Sequence, residues 1–127
     1  MIGTNNTGYE SGTKTPRNSV PETAEGVKAV IDAVRDKLPN TKILLLGIFF
    51  PAENPPNFQR VQVQQINAAI ATFHDGEHVW FLDISPRFLN ADGTLSKSIM
   101  PDFLHPNETG YQIWADAIDG KLKPLLE

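Results

Sequence analysis

The chain has 127 residues, a formal charge of -4 and no cysteine. That length holds one domain with room for a buried core, and the acidic balance offers no electrostatic footprint for nucleic acid or an anionic membrane. The absence of cysteine excludes disulfides, a thiolate nucleophile and a Cys-based zinc site, and no apolar run is long enough to cross a bilayer.

Met1-Ile2 leads at once into Gly3-Thr4-Asn5-Asn6-Thr7-Gly8, a polar, turn-forming run of the kind that comes after a strand. Residues 9–19 read as a surface loop. Residues 21–38 carry Val27, Val30, Ile31, Val34 and Leu38 at the spacing of one helical face, with Glu22 and Glu25 in the early turns and Lys37 in the last. Pro39-Asn40 ends that helix. Residues 42–50, Lys-Ile-Leu-Leu-Leu-Gly-Ile-Phe-Phe, form a continuous apolar run rather than an alternating one, which predicts a strand covered on both faces in a parallel sheet. The next loop, 52–57 with Pro55 and Pro56, reads as a plain connector.

A second helix is predicted over 57–73, with Val63, Ile66, Ile70 and Phe73 on its buried face, Arg60 and the glutamines elsewhere, and Asn67 as a buried, satisfied amide. His74, Glu77 and His78 with Asp75 have the chemistry of metal ligands. Asp75-Gly76 is a strong turn signal, however, and no further ligand stands at matched spacing, so the segment is read as a connector and no metal is expected. Residues 78–84 predict a second buried strand, with Asp83 as a cap for the segment after it, and Asn90-Ala91-Asp92-Gly93 a turn. Asn107 is a fitting N-cap for a last helix through residue 122 whose apolar face holds Tyr111, Ile113, Trp114, Ala117, Ile118 and Leu122. Helix, strand, helix, strand, helix predicts right-handed crossovers and a parallel sheet between helical layers, although two strands are few for such a sheet.

Just before that last helix stands Pro101-Asp102-Phe103-Leu104-His105-Pro106. An acid and a histidine three residues apart, in a segment with a proline at each end, can form one hydrogen-bonded pair in a turn of restricted geometry. A carboxylate on one imidazole nitrogen fixes the tautomer and leaves the other nitrogen to act as a base, as in Ser-His-Asp hydrolases; on the pair alone the plainer reading, Asp102 capping a local turn and His105 simply preceding a helix, is favoured.

Gly3-Thr4-Asn5-Asn6, together with Asp102-Phe103-Leu104-His105, Pro106, Gly110, Tyr111 and Trp114, resembles the third and fifth blocks of the SGNH, or GDSL-type, hydrolases. The branch it is most similar to is that of the brain-type platelet-activating-factor acetylhydrolase catalytic subunits and their bacterial relatives. The resemblance implies an α/β/α flavodoxin-like sandwich with a five-stranded parallel sheet. It implies His105 as general base, Asp102 as its orienting acid, and Asn5 as an oxyanion-hole donor beside Gly3, with no metal or organic cofactor. The family's Gly-Asp-Ser block has no counterpart: Ser11, Ser19, Ser85, Ser96 and Ser98 are the serines present, and none follows Gly-Asp. The chain is therefore expected to be the C-terminal part (1–127) of one SGNH domain, with its N-terminal strands and nucleophile outside the sequence. The expected function is hydrolysis of short acyl esters, acetyl among them, through an acyl-enzyme. A complementing N-terminal segment or a homo-oligomer is the expected partner. The alternative is a non-catalytic SGNH-like module that needs a partner chain. N-x-T sequons occur at Asn5 and Asn107, but the roles assigned to both residues disfavour glycans there.

Overall fold

The computed structural model describes residues 1–55 and 57–127; Pro56, which belongs to the predicted 52–57 connector, lies outside them. Three helices, α1 (Val20–Lys37), α2 (Phe58–Ala71) and α3 (Glu108–Leu126), alternate with two parallel strands, β1 (Ile43–Leu46) and β2 (Val79–Leu82). The strands pair in the register Ile43 with Val79 through Leu46 with Leu82. Ile43, Leu45 and Val79 pack with α1 and α2 on one face, and Leu44, Leu46 and Leu82 pack with α3 and the 3-10 turn Ser85–Phe88 on the other. The result is the expected α/β/α layering around a parallel sheet.

Each helix begins where its side chains satisfy the first free amides. Ser19 and Glu22 form a reciprocal capping box at α1, Asn57 accepts from the Arg60 amide at α2, and Asn107 accepts from the Gly110 amide at α3. Asn107 also donates its Nδ2 to the Ser98 carbonyl at 2.9 Å, which commits its side chain to structure. The helical stripes are narrower than the sequence pattern predicts. Val30 and Leu38 of the α1 stripe are 49% and 56% exposed, and Tyr111, assigned to the apolar face of α3, is 58% exposed and stacks on Trp114 at its edge.

Both strands are shorter than predicted, four residues each where 42–50 and 78–84 were read as strands. Beyond Leu46 the chain leaves the sheet yet stays buried, with Ile48 fully inaccessible. Asn67 on α2 makes this workable: its Oδ1 accepts from the Ile48 amide at 2.8 Å and its Nδ2 donates to the Ile48 carbonyl at 2.9 Å. One side chain thus replaces the two hydrogen bonds a neighbouring strand would have supplied.

The two edges of the sheet differ. On the outer side of β2, His74 Nδ1 accepts from the Phe81 amide, Asp75 Oδ1 accepts from the amides of Glu77, His78 and Val79, and the Asp75 amide donates to the Val79 carbonyl. That edge is closed by the His74–His78 connector, and these backbone bonds hold the Asp75 carboxyl well below its ordinary pKa. On β1, the Ile43 and Gly47 amides point to β2, which turns the peptide groups of Leu44 and Leu46 to the opposite side. Among the described residues nothing bonds to them there.

Replacing Asn67 with Ala strands a buried donor and a buried acceptor at Ile48, and the expected cost is about 2–4 kcal/mol. Urea unfolding of the variant against the parent measures it; a loss below about 0.5 kcal/mol would mean the amide clamp contributes little.

Candidate active site

Asp102 and His105 form the pair expected of them. Oδ2 of Asp102 lies 2.6 Å from Nδ1 of His105, while Oδ1 accepts from the backbone amides of Leu104 at 3.0 Å and His105 at 2.8 Å. The carboxylate therefore holds the loop and the ring together, one oxygen for each. The hydrogen bond from His105, aided by the two backbone amides, pulls the Asp102 carboxyl down to about 2. With Nδ1 donating to Asp102, Nε2 is the acceptor nitrogen, and among the described residues no group occupies it. Both side chains are open to solvent, His105 at 77% and Asp102 at 55%.

The turn is held in an uncommon backbone conformation. Phe103 has φ 58° and Ala52, in the loop after β1, has φ 68°. Each left-handed non-glycine residue costs about 1–2 kcal/mol, and the two are bonded to each other, the Ala52 amide donating to the Phe103 carbonyl at 3.2 Å. Lys97 Nζ sits 5.3 Å from the centre of the Phe103 ring. Behind the pair, Gly110 lets α3 dock closely, because a Cβ there would stand 2.6 Å from the Ile99 carbonyl oxygen. The loop after β1, read as a plain connector, is thus part of the support for the site.

Gly3 and Asn5 lie at the same end of the sheet. Gly3 has φ 107°, and a Cβ on it would stand 2.8 Å from Cδ1 of the buried Ile48, so the backbone approaches there as only glycine can. Asn5 is exposed in the 3-10 turn Thr4–Asn6 and lines an open recess of about 400 Å³ with Met1, Ile2 and their neighbours. Among the described residues its side chain makes no hydrogen bond, and none joins Asn5 to the Asp102–His105 pair directly. The turn is anchored from α2: Gln59 donates to Thr7 Oγ1, Gln62 accepts from the Gly8 amide, and Gln62 donates to the Asn18 carbonyl.

Arg60, which the apolar pattern of the helix leaves off its buried face, is only 4% exposed. Its Nε donates to the Pro51 carbonyl at 2.9 Å, Nη2 to the Ala52 and Glu53 carbonyls at 2.7 and 3.3 Å, and Nη1 to the Gly93 carbonyl at 2.6 Å. The signal was present in the spacing, since 60, 63 and 67 fall on the same helical stripe as 63, 66 and 70.

A model described as the GDSL-like lipase/acylhydrolase family matches residues 1–113. The chain belongs to that family. Platelet-activating factor acetylhydrolase IB subunit alpha1 of Homo sapiens is 30% identical over 126 residues, 98% of this chain and 50% of the relative. The alpha2 subunit of Gallus gallus is 29% identical over 127 residues, 99% of this chain and 51% of the relative. The chain spans about half the length of the curated relatives it matches. Among solved structures, a protein from Streptococcus pneumonia provisionally described as a platelet activating factor superposes with a TM-score of 0.74 at 26% identity, covering 96% of this chain and 57% of that one. The esterase domain of the ZfL2-1 ORF1 protein from a zebrafish retrotransposon shares the fold, with a TM-score of 0.60 at 17% identity over 91% of this chain and 73% of that one.

The folded-state pKa of Asp102 lies below its ordinary 3.8, so the stabilisation from its bonds is present above the ordinary value and is lost as pH falls through about 2. Asp102→Asn should therefore be less stable than the parent at pH 6, with the gap closing towards pH 2. Denaturant midpoints at both pH values measure this; a gap independent of pH would contradict the bonding described.

Proposed function

We propose that this chain carries the base, the orienting acid and one oxyanion donor of a serine ester hydrolase acting on short acyl esters, acetyl among them. One observation carries the reading: in an acylhydrolase-family chain, the 2.6 Å bond from Nδ1 to Asp102 leaves Nε2 of His105 as an acceptor with no partner among the described residues. Nε2 takes the proton of a serine hydroxyl as its oxygen attacks the acyl carbonyl. Asp102 stabilises the imidazolium that results, and the Asn5 amide donates to the oxyanion, a contribution of about 3 kcal/mol for one such donor. His105 then returns the proton to the departing alcohol, and water attacks the acyl-enzyme by the same route. No metal or organic cofactor enters these steps.

The serine comes from outside these 127 residues. Ser19 caps α1, Ser85 is buried and bonded to Asp83, Ser96 and Ser98 are bonded to each other, and Ser11 lies in the exposed early loop. A second copy of the chain would bring no Gly-Asp-Ser either, so a complementing segment is the partner proposed. Residues 1–127 then form the C-terminal part of one domain, and the segment's strands pair along the outer side of β1. Two features support that placement: β1 is open on that side where β2 is closed, and the Asp102–His105 pair is exposed where a hydrolase excludes water.

The test is to join the chain to the portion of the Streptococcus pneumonia protein it does not cover and to measure hydrolysis of a chromogenic acetyl ester. Hydrolysis is expected, and His105→Ala should lower kcat by roughly 10³-fold or more. A variant within a few-fold of the parent would remove His105 as the base; no hydrolysis from a folded, joined protein would favour the non-catalytic module.

A further inference from the structure

We infer that Arg60 is a positioning residue for Asp102 and His105, acting on them through a relay of two peptide units. The relay begins at a buried cation. Arg60 Nε donates to the Pro51 carbonyl at 2.9 Å, and the amide of the same peptide unit, that of Ala52, donates to the Phe103 carbonyl at 3.2 Å. The amide of that second unit, Leu104, donates to Asp102 Oδ1 at 3.0 Å, and Oδ2 of the same carboxylate meets His105 Nδ1 at 2.6 Å. Every donor points from the guanidinium towards the carboxylate. Hydrogen-bonded chains aligned in this way polarise one another, and their geometry is set from the end that cannot move.

Arg60 is that end. Its planar fork is filled by four backbone carbonyls from two loops, and among the described residues it has no carboxylate partner. Its charge is thus committed to four separate backbone oxygens, a forked arrangement that lysine reproduces only in part. Ala52 and Phe103 sit at the two ends of the middle bond, and both hold left-handed backbone that needs outside support. The guanidinium supplies it for Ala52 by holding the carbonyls on both sides of that residue. Other ionisable residues border the relay: Lys97 lies over the Phe103 ring, Glu53 offers its carbonyl to Arg60, and Asp92 precedes Gly93.

The bearing of this relay on catalysis rests on the esterase reading above, but its test does not use hydrolysis, so either can fail without the other. Proton and nitrogen NMR of the 127-residue chain, titrated through the His105 midpoint, reads it directly. The Leu104 amide, the Ala52 amide and the Arg60 Nε–H are expected to shift with one common midpoint, that of His105. A response at Leu104 with Ala52 and Arg60 flat would overturn the relay. In Arg60→Gln, amide exchange at Ala52 and Leu104 should quicken by about tenfold or more while Val27 and Ile31 of α1 hold their rates, and Arg60→Lys should restore part of the protection. Unchanged exchange at Leu104 in a folded Arg60→Gln chain would also overturn it, and should that variant not fold, the titration of the parent decides.

Discussion

Past Leu46 the chain runs out of strand while still inside the protein, and its peptide groups must find partners there or lose the energy of their hydration. Two side chains of α2 meet that demand. Asn67 takes both polar groups of Ile48, and Arg60 takes the carbonyls of Pro51, Ala52 and Glu53. Because α2 itself is fastened by Val63, Ile66 and Ile70, none of them accessible, the loop after β1 inherits the rigidity of the core. Gly3 packs against one part of this loop through Ile48, and Phe103 bonds to another part through Ala52.

The candidate residues come from segments far apart in the chain. Gly3 lies against Ile48 and Phe103 bonds to Ala52, both in the loop that follows β1. Within the second segment the geometry is local: a three-residue spacing, a left-handed Phe103 and two amides on Oδ1 place the carboxylate beside the ring. In this exposed setting water screens the pair, so the Asp102–His105 bond contributes orientation more than stability. Covering the site would strengthen the same bond without moving an atom of it.

Legibility in the sequence tracked the range of the interactions. Asp102 with His105, the Asn107 cap and the Asp75 turn are contacts between residues a few positions apart, and composition with spacing exposed them. Asn67 was legible as an amide interrupting an apolar stripe, since an interior amide needs partners. Arg60 stands on the same stripe, but a cation among glutamines on a helix reads as solvated surface until the loop that fills its fork is known. The strand lengths failed for a related reason. Gly47 to Phe50 are as buried and apolar as a strand, and only the Asn67 clamp reveals that another group satisfies part of their backbone. Tyr111 kept the period of the apolar face of α3 but lies at its rim, where periodicity cannot tell core from edge.

The proposed chemistry turns on Asp102 holding His105 with its proton on Nδ1 and its lone pair on Nε2, ready to accept from a hydroxyl. Nitrogen-15 NMR of the imidazole in the 127-residue chain, above the His105 midpoint, distinguishes the two tautomers directly. A protonated Nδ1, shielded from exchange by Asp102, and an unprotonated Nε2 are expected. A majority of the opposite tautomer, with the proton on Nε2, would contradict this arrangement, because the nitrogen assigned as base would already be occupied.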